Sequence, residues 1–219
     1  GQFSEKDQQC NAYMEYLSPE TDYIWNLDSD EIFNPEDIET IIQLLQQHKP
    51  TSVGFKSLSF YGGFDHYLTG FEENVEFRRI GRIYPGAKWK THRPPIIANS
   101  PWPHKHINLN ITSNMGIRMY HYSYVFPDQV KQKTEYYKAA VSKNNCIDNY
   151  FKEIYLPWVT QPNKKAEIEN KYDGVHEWKP EQRGVCRTTP FTGTHPIIIQ
   201  NNMSRLKEEF YDQLQKYMA

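Results

Sequence analysis

The stretch Tyr23-Ile24-Trp25-Asn26-Leu27-Asp28-Ser29-Asp30-Glu31-Ile32 decides how the rest of the chain is read. Its first half is short, apolar and β-prone, with Ser18-Pro19-Glu20 before it and acids after it, the pattern of a buried strand. Three carboxylates therefore stand at the C-terminal end of a strand, where open α/β sheets place their ligand crevices. In an extended segment Asp28 and Asp30 point to one side, about 6–7 Å apart at roughly 3.3 Å per residue. One can hold a divalent cation directly while the other reaches the ligand or a cation-bound water. Such oxygen ligands suit Mg²⁺ or Mn²⁺, whose remaining positions are filled by water and substrate phosphates. The cluster reads as a metal and diphosphate site; a solvated surface turn is the plainer alternative for two aspartates one residue apart. An EF-hand loop is excluded, because Ile32 and the lack of a glycine break its ligand order.

Upstream, Lys6 to Leu17 predicts a helix with Cys10, Tyr13, Met14 and Leu17 on one face. Downstream, Asn34-Pro35-Glu36-Asp37 opens a second helix, with an N-cap candidate, proline at the first helical position and acids in the first turn. Its expected buried stripe is Ile38, Ile41, Ile42 and Leu45, and Lys49-Pro50 ends it. Strands are expected over 52–60 and 75–83, separated by Tyr61-Gly62-Gly63 and a polar loop. Prolines at 94, 95, 101 and 103 argue against regular structure between Lys90 and Pro103. A further strand over 117–124 leads to a helix opened by Pro127 and running to about Lys143. Met203 to Met218 forms a terminal amphipathic helix through Leu206, Phe210, Leu214 and Met218. The elements point to an α/β protein with a core over 1–145 and a loop-rich, helical C-terminal extension over 146–219 packed on it.

The 219 residues carry 25 basic and 27 acidic side chains, so no broad positive field exists and wholesale binding of nucleic-acid phosphates is disfavoured. Cys10, Cys146 and Cys186 are odd in number and far apart, which fits neither a disulfide framework nor a structural zinc site. Reduced thiols in a cytoplasm are the expectation. With a mean hydropathy of -0.81 and no apolar run near the roughly 18 residues a bilayer span requires, association with a membrane is expected to be peripheral at most.

Three segments recur in a recognisable order. Gln9-Cys10-Asn11 is followed by the stretch Thr21 to Ile32; then comes Phe77-Arg78-Arg79-Ile80; then His121-Tyr122-Ser123-Tyr124-Val125 with Gln129-Val130-Lys131-Gln132-Lys133 and Tyr136-Tyr137. Over roughly residues 5–140 this resembles family 2 glycosyltransferases of the GT-A fold, a Rossmann-like mixed sheet flanked by helices. The resemblance implies that Asp30 binds the Mn²⁺ or Mg²⁺ bridging a nucleotide-sugar diphosphate, that Asp28 contacts the donor ribose or a metal water, and that His121 is a further metal ligand. It places Asn11 on the donor side. Lys131 and Lys133, just after the start of the Pro127 helix, are expected to neutralise diphosphate charge with help from free amides at the helix N-terminus. An ordinary solvated lysine face is the alternative.

Two departures matter. Where many inverting relatives carry a carboxylate that takes the acceptor proton, the chain has Trp89-Lys90-Thr91-His92-Arg93-Pro94-Pro95. His92 is a candidate base, Arg93 a candidate for an anionic acceptor or donor phosphate, and Glu177 a distant alternative. The second departure is at the start, where relatives carry about two more strands with the nucleoside pocket ahead of the acidic strand. The resemblance therefore implies an N-terminally incomplete sheet whose open edge would seek a further polypeptide. Trp102 and His104 are acceptor-binding candidates, since flat aromatic faces suit sugar rings.

The expected function is transfer of a sugar from a nucleoside-diphosphate donor to a hydroxyl of a glycan or lipid-linked acceptor, as a hexosyltransferase of cell-surface polysaccharide assembly. Two alternatives stand beside it: a metal-dependent phosphohydrolase or nucleotidyltransferase, since clustered aspartates also serve phosphate chemistry, and a non-catalytic glycan-binding or assembly module derived from a transferase.

Overall fold

The computed structural model describes residues 6–92, 95–140 and 146–218. In chain order the elements are helix α1 (Lys6–Met14), strands β1 (Tyr23–Trp25) and β2 (Glu31–Ile32), helix α2 (Pro35–His48), and strands β3 (Ser52–Tyr61), β4 (His66–Gly70), β5 (Glu76–Arg82), β6 (Trp89–His92), β7 (Pro95–Ile97) and β8 (His106–Ile107). Helix α3 (Leu109–Asn114), strand β9 (Met119–Tyr124) and helix α4 (Pro127–Ala140) follow. Short helices α5 (Leu156–Thr160), α6 (Lys165–Lys171) and α7 (Pro180–Arg183), strand β10 (Cys186–Pro190) and helix α8 (Ile197–Met218) complete the chain. Among the described residues no helix is long and apolar enough to cross a membrane. All three cysteines are free and buried.

The chain divides into two compact units, each assembled from separate segments. Unit 1 comprises Gly1–Ser29, Phe33–Lys56 and Glu76–Met119; unit 2 comprises Asp30–Ile32, Ser57–Val75 and Tyr120–Ala219. The boundaries fall inside β3 and β9 and inside the acidic stretch itself.

Unit 1 is a mixed sheet with helices. β5 runs antiparallel to β1, with Tyr23 opposite Arg82 and Trp25 opposite Ile80, and antiparallel to the first half of β3, which pairs in parallel with β8. Its core gathers Phe33, Ile41, Leu44, Val53, Phe55, Ile80, Ile107 and Ile117. α2 is anchored as its sequence predicts, with proline in the first turn and Lys49 closing it in the left-handed region at φ 45°. Its buried stripe is narrower than expected: Ile41 and Leu44 are buried, whereas Ile38 is 37% and Ile42 46% exposed. Five apolar positions cover more of the helix than one sheet face can hide.

Unit 2 pairs the second half of β3 with β4, β4 with β10, and β2 with β9, all antiparallel. One core packs Tyr61, Leu68, Tyr124, Ile154, Tyr155 and Trp158; another packs Phe60, Phe64, Tyr122, Phe210 and Leu214. α8 starts six residues before Met203, at Ile197, where the Pro196 carbonyl accepts from the N–H groups of both Ile199 and Gln200.

The stretch read as irregular from Lys90 to Pro103 instead contains a hairpin, β6 against β7, with Trp89 opposite Ile97 and His92 opposite Pro95. Proline is tolerated as the first residue of a strand, and Pro95 occupies that position. Positions 141–143, expected to end the α4 helix, lie outside the described residues.

Candidate active site

In unit 1 the hydrogen-bonded edge of β1 continues past Trp25, with the Asn26 N–H donating to the Arg79 carbonyl at 2.8 Å. This carries the chain alongside β5 to Asp28, whose Oδ2 lies 3.6 Å from Arg79 Nη2. The Arg79 side chain is only 8% exposed and rests on the Phe77 ring, 5.3 Å from its centroid. A buried guanidinium needs an anion, and Asp28 supplies one. The arginine-containing strand was noticed in the sequence; that its second arginine would anchor Asp28 was not.

In unit 2, β2 and β9 pair with Glu31 opposite His121, and the Tyr122 N–H donates to the Asp30 carbonyl at 2.9 Å. That register sets Asp30 beside His121, with Oδ1 3.6 Å from Nε2. The other edge of the imidazole is fixed from behind. Ser59 donates its proton to Oε1 of the buried Glu72 at 2.9 Å, so its oxygen is left to accept from His121 Nδ1 at 3.4 Å. Ser57 lies 2.9 Å from Ser59 on the same line. The Nε2 edge of the ring is thereby turned toward the Asp30 carboxylate, and either a proton on that nitrogen or a bound cation can bridge the two.

A third group joins them from the first turn of α4. Gln129 Nε2 donates to Asp30 Oδ2 at 2.9 Å, while Gln129 Oε1 is buried and has no hydrogen-bond partner. An orphaned buried carbonyl is costly, and a hard cation is one partner that satisfies it. The residues therefore fit a divalent ion: a carboxylate, an imidazole held by an outer hydrogen bond, and an amide oxygen. Among the described residues no group of three or more His, Cys, Asp or Glu gathers that could hold a metal. The set present suits an ion whose shell is completed by water and phosphate. Gln129 stands within the α4 segment noted in the sequence, without a role assigned to it; its spacing of four from Lys133 on one helix face was the available signal.

The other candidates are placed as follows. Lys133 turns inward, donating to Ser123 Oγ and lying 3.9 Å from the centroid of Tyr124. Lys131 lies 5.2 Å from the Tyr217 ring centroid and lines a cleft of about 250 Å³ together with Lys138, Cys146 and Glu177. Glu177 is 1% exposed and accepts from Tyr124 OH, with His176 Nδ1 at 3.1 Å. Burial would raise its pKa, but the charges of His176 and Lys133 and the Tyr124 hydrogen bond hold it below the usual carboxylate range. His176 Nε2 lies 3.9 Å from Glu72 Oε2, so one buried polar chain runs from His121 through Ser59, Glu72 and His176 to Glu177. In unit 1 Asn11 is a strut: its amide donates to the Trp89 carbonyl at 3.1 Å and accepts from the Trp89 N–H at 2.7 Å. Trp102 and His104 line one cleft of about 160 Å³. His92 closes β6; its side chain, and Arg93, lie outside what is described.

No curated protein matches the chain. The family model described as Glycosyl transferase family 2 matches residues 9–126, more than half the sequence. That span takes in the aspartates, the arginine strand and His121, and the mixed sheet flanked by helices is the GT-A-like arrangement the family implies. The chain belongs to glycosyl transferase family 2.

Proposed function

We propose that this glycosyltransferase is metal-dependent and moves a hexosyl unit from a nucleoside-diphosphate sugar to a hydroxyl of a glycan or lipid-linked acceptor, in the assembly of cell-surface polysaccharide. The observation that carries the reading is the meeting of Asp30 and His121 at 3.6 Å, with the imidazole locked from behind by Ser59. Asp30, His121 and the Gln129 carbonyl would hold Mn²⁺ or Mg²⁺. When bound, such an ion offsets the charge that builds on the diphosphate as the glycosidic bond breaks.

The protein's own groups do the rest. Asp28, steadied by Arg79, faces the donor ribose or a metal water, and Lys131 at the start of α4 supports the diphosphate. Lys133 acts from the inside, adding positive charge behind Ser123. For the acceptor proton His92 is the best-suited base, since an imidazole exchanges protons near neutrality while Arg93 stays protonated and serves a phosphate. Glu177, held as a carboxylate by His176 and Tyr124, anchors the polar chain behind His121.

The test is release of nucleoside diphosphate from a panel of nucleotide sugars with Mn²⁺. Asp30→Asn is expected to lower it by at least about 10²-fold, the scale seen when one group stabilising transition-state charge is removed. Unchanged release in that variant rejects the assignment. Release of inorganic phosphate in place of nucleoside diphosphate would turn the reading to a phosphohydrolase.

A further inference from the structure

We infer that unit 1 carries a second binding site, for the carboxylate or phosphate of an acidic saccharide, with Arg82 as its anion-binding group in the cleft beside Trp102. Arg82 ends β5 opposite Tyr23. Among the described residues that line this cleft, none belongs to the acidic motif.

The described arginines of unit 1 differ in how they use their donors. Arg78 gives its Nε to Glu76 at 2.8 Å, Arg79 pairs with Asp28, and Arg118 donates to the carbonyls of Ser113 and Ile117 at 3.0 and 2.8 Å. Arg82 is different. Its Nε is buried without a hydrogen-bond partner, and among the described residues its guanidinium forms no ion pair. What it has is a ring: the guanidinium carbon lies 4.0 Å from the Trp102 centroid, and Tyr84 meets that indole edge-on at 6.1 Å. Stacking fixes the plane of the guanidinium and supplies no acceptor for its N–H groups. A buried N–H without an acceptor is costly, and an anion delivered from outside removes that cost.

The neighbouring polar groups leave this task to Arg82. The Ser52 hydroxyl lies 2.8 Å from His106 Nδ1, and the Thr51 hydroxyl is bonded to Lys105. His104 lies beside the cleft with its ring stacked near His106, 6.1 Å between centroids. Ile96 and Ile97 form an apolar wall. A planar fork of N–H donors beside an apolar wall matches one carboxylate or phosphate carried on a compact ring. That the ring is a sugar rests on the transferase reading; the anionic group does not.

The experiment is a titration of the whole chain, followed by Trp fluorescence and by the NMR signals of the arginine Nε–H groups. The probes are D-glucuronate, glucose 6-phosphate, glucose and acetate, without Mn²⁺ or donor, so failure of the metal reading leaves the result intact. The expected result is saturable perturbation of the Arg82 and Trp102 signals by glucuronate, glucose 6-phosphate or both, the stronger of the two telling carboxylate from phosphate. Arg82→Gln should weaken that binding by at least about tenfold, the scale of one charge-assisted contact. Arg82→Lys, which keeps the charge and loses the fork, should fall between. The inference is overturned if neither acid perturbs Arg82, if glucose binds as well as the acids, or if Arg82→Gln binds like the parent. Acetate binding as tightly as glucuronate overturns the saccharide part.

Discussion

Each unit brings a carboxylate, a histidine and a serine into contact, but the two groups end differently. In unit 1, Glu76 Oε1 takes Arg78 Nε at 2.8 Å and His106 Nε2 at 2.9 Å, Oε2 takes the Leu109 N–H at 2.9 Å, and His106 Nδ1 meets Ser52 at 2.8 Å. Gly54 lies against it, since a Cβ there would stand 2.6 Å from Glu76. In unit 2, the run from Glu72 through Ser59 to His121 ends on the Asp30 carboxylate, with an orphaned Gln129 carbonyl beside it. The first group closes on protein donors, whereas the second has the unpartnered Gln129 carbonyl at its end. A cluster closed on its own donors stabilises a fold; the orphaned Gln129 carbonyl is the group that the proposed cation would satisfy.

Exchanging the two carboxylates for amides is the strongest way to break this contrast. Asp30→Asn should cost at least about 10²-fold in donor turnover and leave the urea midpoint nearly unchanged. Glu76→Gln should do the reverse, lowering unfolding free energy by about 2 kcal/mol, the worth of hydrogen bonds to a charged group, with turnover retained at a permissive temperature. If both variants lose stability equally and neither loses turnover selectively, the distinction is wrong.

A smaller effect tests the outer support of His121. Ser59→Ala removes the hydroxyl that orients the ring, and loss of such an orienting bond typically weakens metal binding about 10- to 100-fold. Mn²⁺ affinity measured by electron paramagnetic resonance, with no sugar present, reports this directly. Unaltered affinity would mean that the serine serves packing alone. Filling the space over Glu76 gives the counterpart in unit 1: Gly54→Ala should destabilise by about 1–3 kcal/mol through overpacking, without altering Mn²⁺ affinity.

The sequence made much of this visible, for identifiable reasons. The strand before the acids, α2, the arginine strand and β9 were legible because their apolar periods and caps are local signals. The hairpin at β6 and β7 was hidden because proline was weighed as a breaker, whereas Pro95 begins its strand. β4 and β10 were not distinguished at all; their pairing joins His66 to Pro190 across more than a hundred residues, and no local period reports such a partner. At the site, acids placed after a strand pointed to Asp30, and the family resemblance pointed to His121. Glu72 and Ser59 carry no motif, and Gln129 lies in a motif segment without a role of its own; only the register of β2 on β9 and the direction of α4 bring them into play. Asn11 and Lys133 show the reverse case, motif positions whose side chains turn to protein partners.

The subtlest difference between the two groups should appear in acid. Burial pushes the Glu76 carboxyl up, but Arg78, the Leu109 N–H and His106 outweigh it and hold its pKa below the ordinary value of 4.5. The unfolded chain therefore binds the proton more readily than the folded one. The stability that Glu76 contributes is complete above the ordinary carboxylate range and is lost as pH falls through the lower folded value. Glu76→Gln has no such proton to take up, so its unfolding free energy should be lower than the parent's at pH 7 and should approach it as the pH is taken toward 3. Urea unfolding of both proteins across that range measures the gap. A gap of constant size would show that Glu76 acts through shape and neutral hydrogen bonding, and the charge balance drawn for unit 1 would then have to be withdrawn.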